Sequence, residues 1–240
     1  MSFALLLPPS EGKAPGGDGA GWDPASGTFG ARLERPRRRV ARALRQAKGG
    51  DQKLLGVGGA SLERSIAANR ALVGAPCLPA WQRYTGVVWD HLDLAGLAVA
   101  DPAARQRASD AIVVVSALHG LVGIDDPMPD HRLKLSVGLG ALGGLAAFWR
   151  RPLSTVLNEH LAGRLVVDLL PGEHAGAWMA APGRYDLRRV RLVNADGRTA
   201  GHNAKAAKGL LARALLEADD PERALATWWH DEYRMDITVG

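Results

Sequence analysis

Cysteine and long apolar runs are scarce in this sequence, and each scarcity narrows the class of protein. The chain has a single cysteine, Cys77, so no disulfide can form within it and no oxidising compartment is needed. No run of about 18 apolar residues occurs, so we expect no membrane span. The first residues lack the basic region of a secretory signal, and their apolar run is too short for one. We therefore expect a cytoplasmic protein with no membrane partner.

Signatures of the common cofactors are missing as well. The glycines at Gly56, Gly58 and Gly59 are not followed by the Gly-Lys-Ser/Thr of a Walker phosphate loop. The histidines and carboxylates match no standard zinc spacing. We therefore expect no cofactor and no metal. Because the sequence also contains no internal repeat and no clear linker, we expect one α/β domain spanning residues 1–240.

Positive charge is present in excess. Lys and Arg number 30 against 25 Asp and Glu, a formal net charge of +5, and 47% of the residues are apolar. The apolar content is sufficient for a buried core, and the charge balance favours an anionic partner. The same balance also fits a protein with an incidentally basic surface, so that interpretation stays open.

Short apolar runs alternate with amphipathic segments, the pattern of an α/β fold. Residues 3–7, 112–115 and 165–170 predict buried strands, with residues 112–115 as a central strand. We expect an edge strand over residues 132–137 and a β-hairpin over residues 187–202. The predicted fold is a mixed central sheet flanked by helices.

A glycine-rich turn lies between two short helical segments. Gly56-Val57-Gly58 has the Gly-hydrophobic-Gly form of a helix-hairpin-helix element, which we place at about residues 51–72. Glycine permits positive φ and close backbone approach, and the following helix offers free N–H groups to a phosphate. The pattern therefore predicts contact with a nucleic-acid backbone, although an ordinary glycine-rich turn would have the same composition.

Basic side chains follow two predicted elements. Ser10 and Lys13 come after the first strand, and ligands of open α/β sheets lie beyond the carboxyl ends of strands. Lys205 and Lys208 are three residues apart, so they share a helix face, and Asn203 is a candidate N-cap. We expect both places to bind an anion, and the alternatives are a solvated turn for the first and a solvated helix face for the second.

Histidines and carboxylates follow the other predicted strands. His119 and His131 come after the strand at residues 112–115, and Glu173 and His174 come after the strand at residues 165–170. If these strand ends meet in one cleft, the histidines are candidate general acids or bases, with Glu173 orienting one of them or acting as the base. A hydrogen-bonded structural role is the alternative for each histidine.

Taken together, these segments resemble the YaaA-type peroxide-stress protein family over most of the chain, with this sequence as a divergent, actinobacterial-like member. The resemblance rests on the order and spacing of several motifs, which are Pro8 to Lys13, Tyr84-Thr85-Gly86, Ser116 to Gly120, His131 to Leu135, Phe148-Trp149, Asp168 to His174 and Lys205 to Gly209.

The resemblance implies an α/β fold with a helix-hairpin-helix, a basic cleft, binding of double-stranded or distorted DNA, and a role in peroxide stress. By position, the implied cleft residues are Lys13, Tyr84, Thr85, Ser116, Arg132, Trp149, Glu173, Lys205 and Lys208, and the implied hairpin is Gly56, Val57 and Gly58. The chain departs from the family pattern at His119, His131 and His174, where aromatic residues usually stand. Histidine offers less stacking surface and adds titratable nitrogens.

Two functional hypotheses follow. The first is a DNA-binding protein of the peroxide-stress response. The second is an enzyme that acts on a nucleobase, a nucleoside or another small, nucleotide-like anion, using His119, His131 or His174 with Glu173.

Overall fold

The computed structural model describes residues 2–194 and 204–240. Its strands are β1 (Phe3–Leu7), β2 (Gly19–Gly21), β3 (Pro76–Pro79), β4 (Ile112–Ser116), β5 (Gly120–Gly123), β6 (Pro127–Pro129), β7 (Leu165–Asp168), β8 (Asp186–Val193) and β9 (Arg234–Val239).

Its helices are α1 (Gly30–Gln46), α2 (Gln52–Leu55), α3 (Gly59–Arg70), α4 (Ala80–Arg83), α5 (Val87–Leu92), α6 (Leu94–Ala100), α7 (Pro102–Ala111), α8 (Leu145–His160), α9 (Gly172–Ala175), α10 (Ala204–Glu217) and α11 (Pro221–Thr227).

Six strands form the main sheet, in the order β5-β4-β1-β7-β8-β9. The four inner strands are parallel, whereas β5 and β9 run antiparallel at the two edges. The predicted mixed sheet flanked by helices is therefore confirmed. The chain leaves β1 toward β4 on one side and leaves β7 toward β8 on the other. In open α/β sheets such a reversal opens a crevice at the carboxyl ends of the strands.

Apolar side chains cover both faces of this sheet. In β1, Ala4 and Leu6 point into one core, which α1 and α8 cover, while Leu5 and Leu7 point into the other, which α5, α7 and α10 cover. Successive strand residues face opposite sides, so a strand buried on both faces reads as one continuous apolar run. This explains why β1, β4 and β7 could be predicted from sequence.

A second sheet is formed by β2, β3 and β6, which are antiparallel to one another. Its strands are three or four residues long and rich in glycine and proline, so their periodicity carried no signal. The edge strand predicted over residues 132–137 is wrong, because that segment forms turns and irregular backbone. The pattern alternates because Leu133 and Leu135 of this loop are buried in the core.

Only the first half of the predicted β-hairpin at residues 187–202 falls on residues that the structure describes. Its first half is β8, which pairs with β7 in parallel and with β9 in antiparallel orientation. Its second half and the N-cap predicted at Asn203 lie outside the described residues. Helix α10 begins at Ala204 and packs closely on α5. A Cβ on Gly209 would lie 2.4 Å from the carbonyl oxygen of Val88.

The segments α2 and α3 flank Gly56-Val57-Gly58, with Gly56 at φ 63° in the left-handed region. The assignment of this turn as a helix-hairpin-helix stays a prediction.

In the part of the chain that the structure describes, no helix is both long and apolar enough to cross a membrane.

Candidate anion-binding cavity

A cavity of about 890 Å³ lies at the carboxyl ends of the parallel strands. Its walls come from the segment after β1, the last residue of β4, the segment after β7, one part of β8 and the first turns of α10. These are the loops on either side of the crevice where the chain reverses direction across the sheet. The volume lies within the range of small-molecule and cofactor sites.

The segment after β1 is fixed against the start of α5. Gly12 accepts a hydrogen bond from the backbone N–H of Thr85 at 3.1 Å, and the hydroxyl of Ser10 donates to the carbonyl oxygen of Thr85. A Cβ on Gly12 would lie 2.5 Å from that oxygen, so the close approach requires glycine. Lys13 pairs with Tyr84 in an isolated β-bridge. These contacts place Lys13 in the cavity wall.

The amine of Lys13 is held apart from carboxylates. Its Nζ donates to the carbonyl oxygen of Ser10 at 2.9 Å and lies 5.7 Å from the centre of the Tyr84 ring. Burial, with the nearby Arg132 guanidinium, outweighs the attraction of Asp130 and lowers the pKa of Lys13 to about 8. At neutral pH most of this amine is still charged, but its neutral fraction is far larger than that of a solvated lysine.

Arg132 and Lys134 converge on Glu11 across the cavity. Glu11 contacts Arg132 at 2.7 Å and Lys134 at 3.0 Å. Burial acts to raise the pKa of Glu11, but Lys134, Arg132 and Lys205 together lower it, so the carboxylate stays ionised. Arg132 is also held from α3, because Asn69 accepts from its backbone N–H at 3.0 Å and donates to its carbonyl oxygen at 2.9 Å.

Arg132 also connects the cavity to the glycine-rich turn. Its Nε donates to the carbonyl oxygen of Leu55 at 2.9 Å, directly before Gly56. A Cβ on Gly56 would lie 3.2 Å from the Nζ of Lys134. The turn at residues 56–58 therefore adjoins the rim of the cavity.

Two histidines lie at and behind the wall after β4. His131 lines the cavity, whereas His119 is buried behind it, and their ring centres are 5.2 Å apart. Burial is the largest cause that lowers the pKa of both, with the positive charge of Lys13 acting in the same direction. Both rings are therefore neutral at neutral pH. Ser116, which lines the cavity, is 3.5 Å from the Nδ1 of His119, a long contact.

The third histidine stands on the opposite wall, after β7. His174 lies 3.6 Å from the carboxylate of Glu173, and both residues line the cavity. Burial lowers the pKa of His174 although Glu173 opposes the shift. Lys208 donates to the carbonyl oxygen of Leu169 at 3.0 Å. Its pKa is also lowered by burial, with the buried Asp168 acting in the opposite direction.

Cationic side chains dominate the cavity wall. Six of its described residues are lysines or arginines and two are carboxylates, namely Lys13, Arg132, Lys134, Arg191, Lys205 and Lys208 against Glu11 and Glu173. The side chains of His131 and His174 add no positive charge at neutral pH. Within the described ranges no cluster of three or more histidine, cysteine or acidic residues could hold a metal ion. The arrangement suits an anionic ligand.

Most of the sequence-predicted site residues meet in this cavity. Those that line it are Ser10, Lys13, Thr85, Ser116, His131, Arg132, Glu173, His174, Lys205 and Lys208. Tyr84 lies beneath Lys13, and Gly56, Val57 and Gly58 lie beside the rim rather than in the wall.

Trp149 stands elsewhere. It is fully buried in the core with α8, and its Nε1 donates to the carbonyl oxygen of Ala117 at 2.7 Å. It does not line the cavity, in contrast to the expectation from the resemblance. The structure adds Glu11, Lys134 and Arg191, which the sequence reasoning did not select. Glu11 and Lys134 lie within motifs that carried the resemblance, so their charge next to selected residues was the available signal.

These features define an α/β protein with a cationic cavity at the carboxyl edge of a mixed sheet. Comparison with known sequences then gives its family. The sequence model of the family described as "Peroxide stress protein YaaA" matches residues 3–237. The chain belongs to this family.

Curated relatives cover most of the chain. A UPF0246 protein of Streptomyces coelicolor is 38% identical over 88% of this chain and 82% of its own length. A UPF0246 protein of Corynebacterium glutamicum is 34% identical over 88% and 84%, and one of Corynebacterium efficiens is 34% identical over 92% and 86%. These similarities agree with the expected family and with an actinobacterial-like sequence.

Proposed function

We propose that the protein binds distorted DNA during peroxide stress and takes an unpaired nucleotide into its cationic cavity. The observation that carries the proposal is the ratio of six cationic to two acidic side chains in one cavity. Phosphate contacts supply most of the affinity of proteins for nucleic acid. The family description supports the link to peroxide stress.

The cations fall into two groups. Arg132 and Lys134 are neutralised in part by Glu11. Among the described residues, Lys205 and Lys208 have no carboxylate within ion-pair distance. Cations near a helix N-terminus oppose the helix dipole, so these two lysines in the first turns of α10 do not stabilise their own helix. An anion bound beside them would remove that unfavourable interaction.

The size of the cavity favours distorted over intact DNA. A stacked base pair cannot enter a space of about 890 Å³, but a nucleotide turned out of the stack can. The turn at Gly56-Val57-Gly58 adjoins the rim, where its backbone can meet the phosphates of the flanking duplex. We therefore assign the cavity to the unpaired nucleotide and the turn to the neighbouring backbone.

Fluorescence anisotropy with labelled intact duplex and bubble duplex, across a salt series, tests this proposal. Lys205→Gln should weaken bubble binding and reduce the salt slope by about 0.7 to 0.9, the value for one phosphate contact. Lys48→Gln is the matched control, since Lys48 is exposed at the end of α1 and outside the cavity wall. Gly56→Asp should weaken binding to both duplexes.

Three results would contradict the proposal. They are no binding of wild type at low salt, equal affinity for intact and bubble duplex, and equal salt slopes for the two lysine variants. The first would remove DNA as the partner, and either of the other two would argue against the cavity as part of a DNA interface.

A second candidate function is an enzyme acting on a nucleobase, a nucleoside or a similar small anion. The specific observation in its favour is the Glu173–His174 pair in the cavity wall, because a carboxylate beside an imidazole suits general acid–base chemistry. Screening nucleosides by chromatography, with His174→Gln as the test variant, examines it. Turnover that is unchanged in His174→Gln would exclude a proton-transfer role for His174.

A further inference from the structure

We propose that the Lys13 amine is a nucleophile that forms an imine with an aldehydic sugar phosphate held in the cavity. The proposal rests on the proposed function, because it assigns a substrate class to the same cavity. The aldehyde could be the ring-opened deoxyribose of a DNA position that has lost its base, or a free pentose phosphate, and both offer the same reacting group.

The position of the Lys13 amine suits attack on a ligand in the cavity. Lys13 lines the cavity, and its backbone is held by the β-bridge to Tyr84 and by a hydrogen bond from Ala14 to Arg83. Its Nζ makes one hydrogen bond, to the carbonyl oxygen of Ser10. An amine that donates one hydrogen keeps its lone pair for a carbonyl carbon.

The protonation state of Lys13 also matters, since only a neutral amine attacks a carbonyl carbon. The charged and titratable groups around Lys13 are Glu11, Arg64, Arg83, Tyr84, His119, Asp130, His131 and Arg132. The two carboxylates raise its pKa, but burial and the arginines lower it to about 8. The amines of solvated lysines titrate near 10.4, so Lys13 is neutral far more often than they are.

The residues around Lys13 suit a substrate that carries a phosphate. Lys205 and Lys208 line the same cavity and suit the phosphate of the substrate. An aldehyde on a sugar next to that phosphate would then be held against the amine, which raises the effective concentration of the reacting pair.

The reaction balances without a further reagent. The neutral Nζ of Lys13 bonds to the aldehyde carbon, the carbonyl π electrons move to the oxygen, and a proton passes from the nitrogen to that oxygen to give a neutral carbinolamine. The carbinolamine then takes up one proton from solvent and loses water, which gives the protonated imine. In a trapping experiment, borohydride donates hydride to the imine carbon and leaves a stable secondary amine on Lys13.

Borohydride trapping with two probes tests the proposal. One probe is a labelled duplex with a single base-free deoxyribose, and the other is ribose 5-phosphate. The chain has only six lysines, so peptide mapping by mass spectrometry can assign the adduct. We expect the adduct on Lys13 in wild type and in Lys48→Arg, and its loss in Lys13→Arg. Its rate in wild type should rise between about pH 6 and about pH 9, as a neutral amine requires.

Folding and binding are measured separately from trapping. The melting temperature of each variant is compared with wild type, and anisotropy with a non-reactive tetrahydrofuran analogue of the base-free site sets saturating DNA for each protein. Mapping of the wild-type adduct needs no variant, so a folding defect in Lys13→Arg does not affect it.

The outcomes distinguish this proposal from the proposed function. Adduct on Lys13 from either probe supports the imine, and the reacting probe identifies the source of the aldehyde. Wild type that binds the analogue but forms no adduct with either probe overturns the imine and leaves DNA binding intact. Adduct that maps to other lysines, or that persists in Lys13→Arg, also overturns it. Absence of DNA binding overturns the proposed function, whereas the ribose 5-phosphate arm still decides the role of Lys13.

Discussion

The guanidinium of Arg37 donates a hydrogen bond to the carbonyl oxygen of His119 at 2.8 Å, from the middle of α1 to the turn between β4 and β5. The same guanidinium donates to the carbonyl oxygens of Pro24, Ser26 and Leu121. Arg37 is 1% exposed, and burial lowers its pKa to about 10. One buried cation therefore fixes the turn that presents Ser116 to the cavity.

Replacement of Arg37 should destabilise the protein strongly. In Arg37→Met four carbonyl oxygens lose the hydrogen bond from the guanidinium, although that of His119 still accepts from the backbone N–H of Leu121, so we expect the free energy of unfolding to fall by about 3 kcal/mol. Arg35→Met is the control, because Arg35 is exposed on the same helix and should change stability by less than about 0.5 kcal/mol. Urea unfolding measures both, and equal midpoints for the two variants would contradict a structural role for Arg37.

Stability should decrease in mild acid because His119 and His131 are buried as neutral rings. Their pKa values are lowered in the folded protein, so below about pH 6.5 the unfolded chain binds more protons than the native one. The stabilisation is complete above that pH and is lost as the pH falls toward the folded pKa values. Each histidine should contribute at most about 1.4 kcal/mol per pH unit.

His131→Gln isolates this contribution. Denaturant unfolding at several pH values between about 7 and about 5 should give a shallower loss of stability than in wild type. His91→Gln provides the comparison, because His91 is exposed and its replacement should leave the slope unchanged. An acid slope in His131→Gln as steep as that of wild type would show that His131 is protonated equally in both states.

Trp149→Phe should affect stability rather than ligand binding. The change removes the hydrogen bond from Nε1 to the carbonyl oxygen of Ala117 and leaves a small void, so we expect a loss of about 1 to 3 kcal/mol. Trp229→Phe is the control, since Trp229 is 76% exposed. Thermal unfolding and the DNA anisotropy assay are measured together. A variant with wild-type stability but weakened DNA binding would place Trp149 at the interface instead.

The sequence could predict those residues of the cavity that come directly after a buried strand. The strands β1, β4 and β7 are buried on both faces, so their apolar runs were visible, and the polar residues after them could be selected. Lys13, Ser116 and His174 were found in this way. Arg191 was missed because it lies within β8, where arginines between apolar residues are typical of any partly solvated strand.

Only the folded structure shows which side chains line the cavity. The family resemblance implied that Trp149 lines the cleft, and the sequence did not distinguish the three histidines from one another. In the structure Trp149 and His119 point into the protein, while His131 and His174 stand on opposite walls. A side chain's direction depends on the packing of the elements around it, which no local pattern encodes.

The sequence by itself determined the α/β class, the buried strands and the family, because those depend on local periodicity and on the order of motifs along the chain. Only the tertiary structure decided which charged side chains lie in the same cavity. Lys13, Lys134 and Lys205 are far apart along the chain, and only the reversal of strand order beside β1 brings them to one cavity. The lowered pKa of Lys13 likewise arises from burial, which exists only once the segments have packed together.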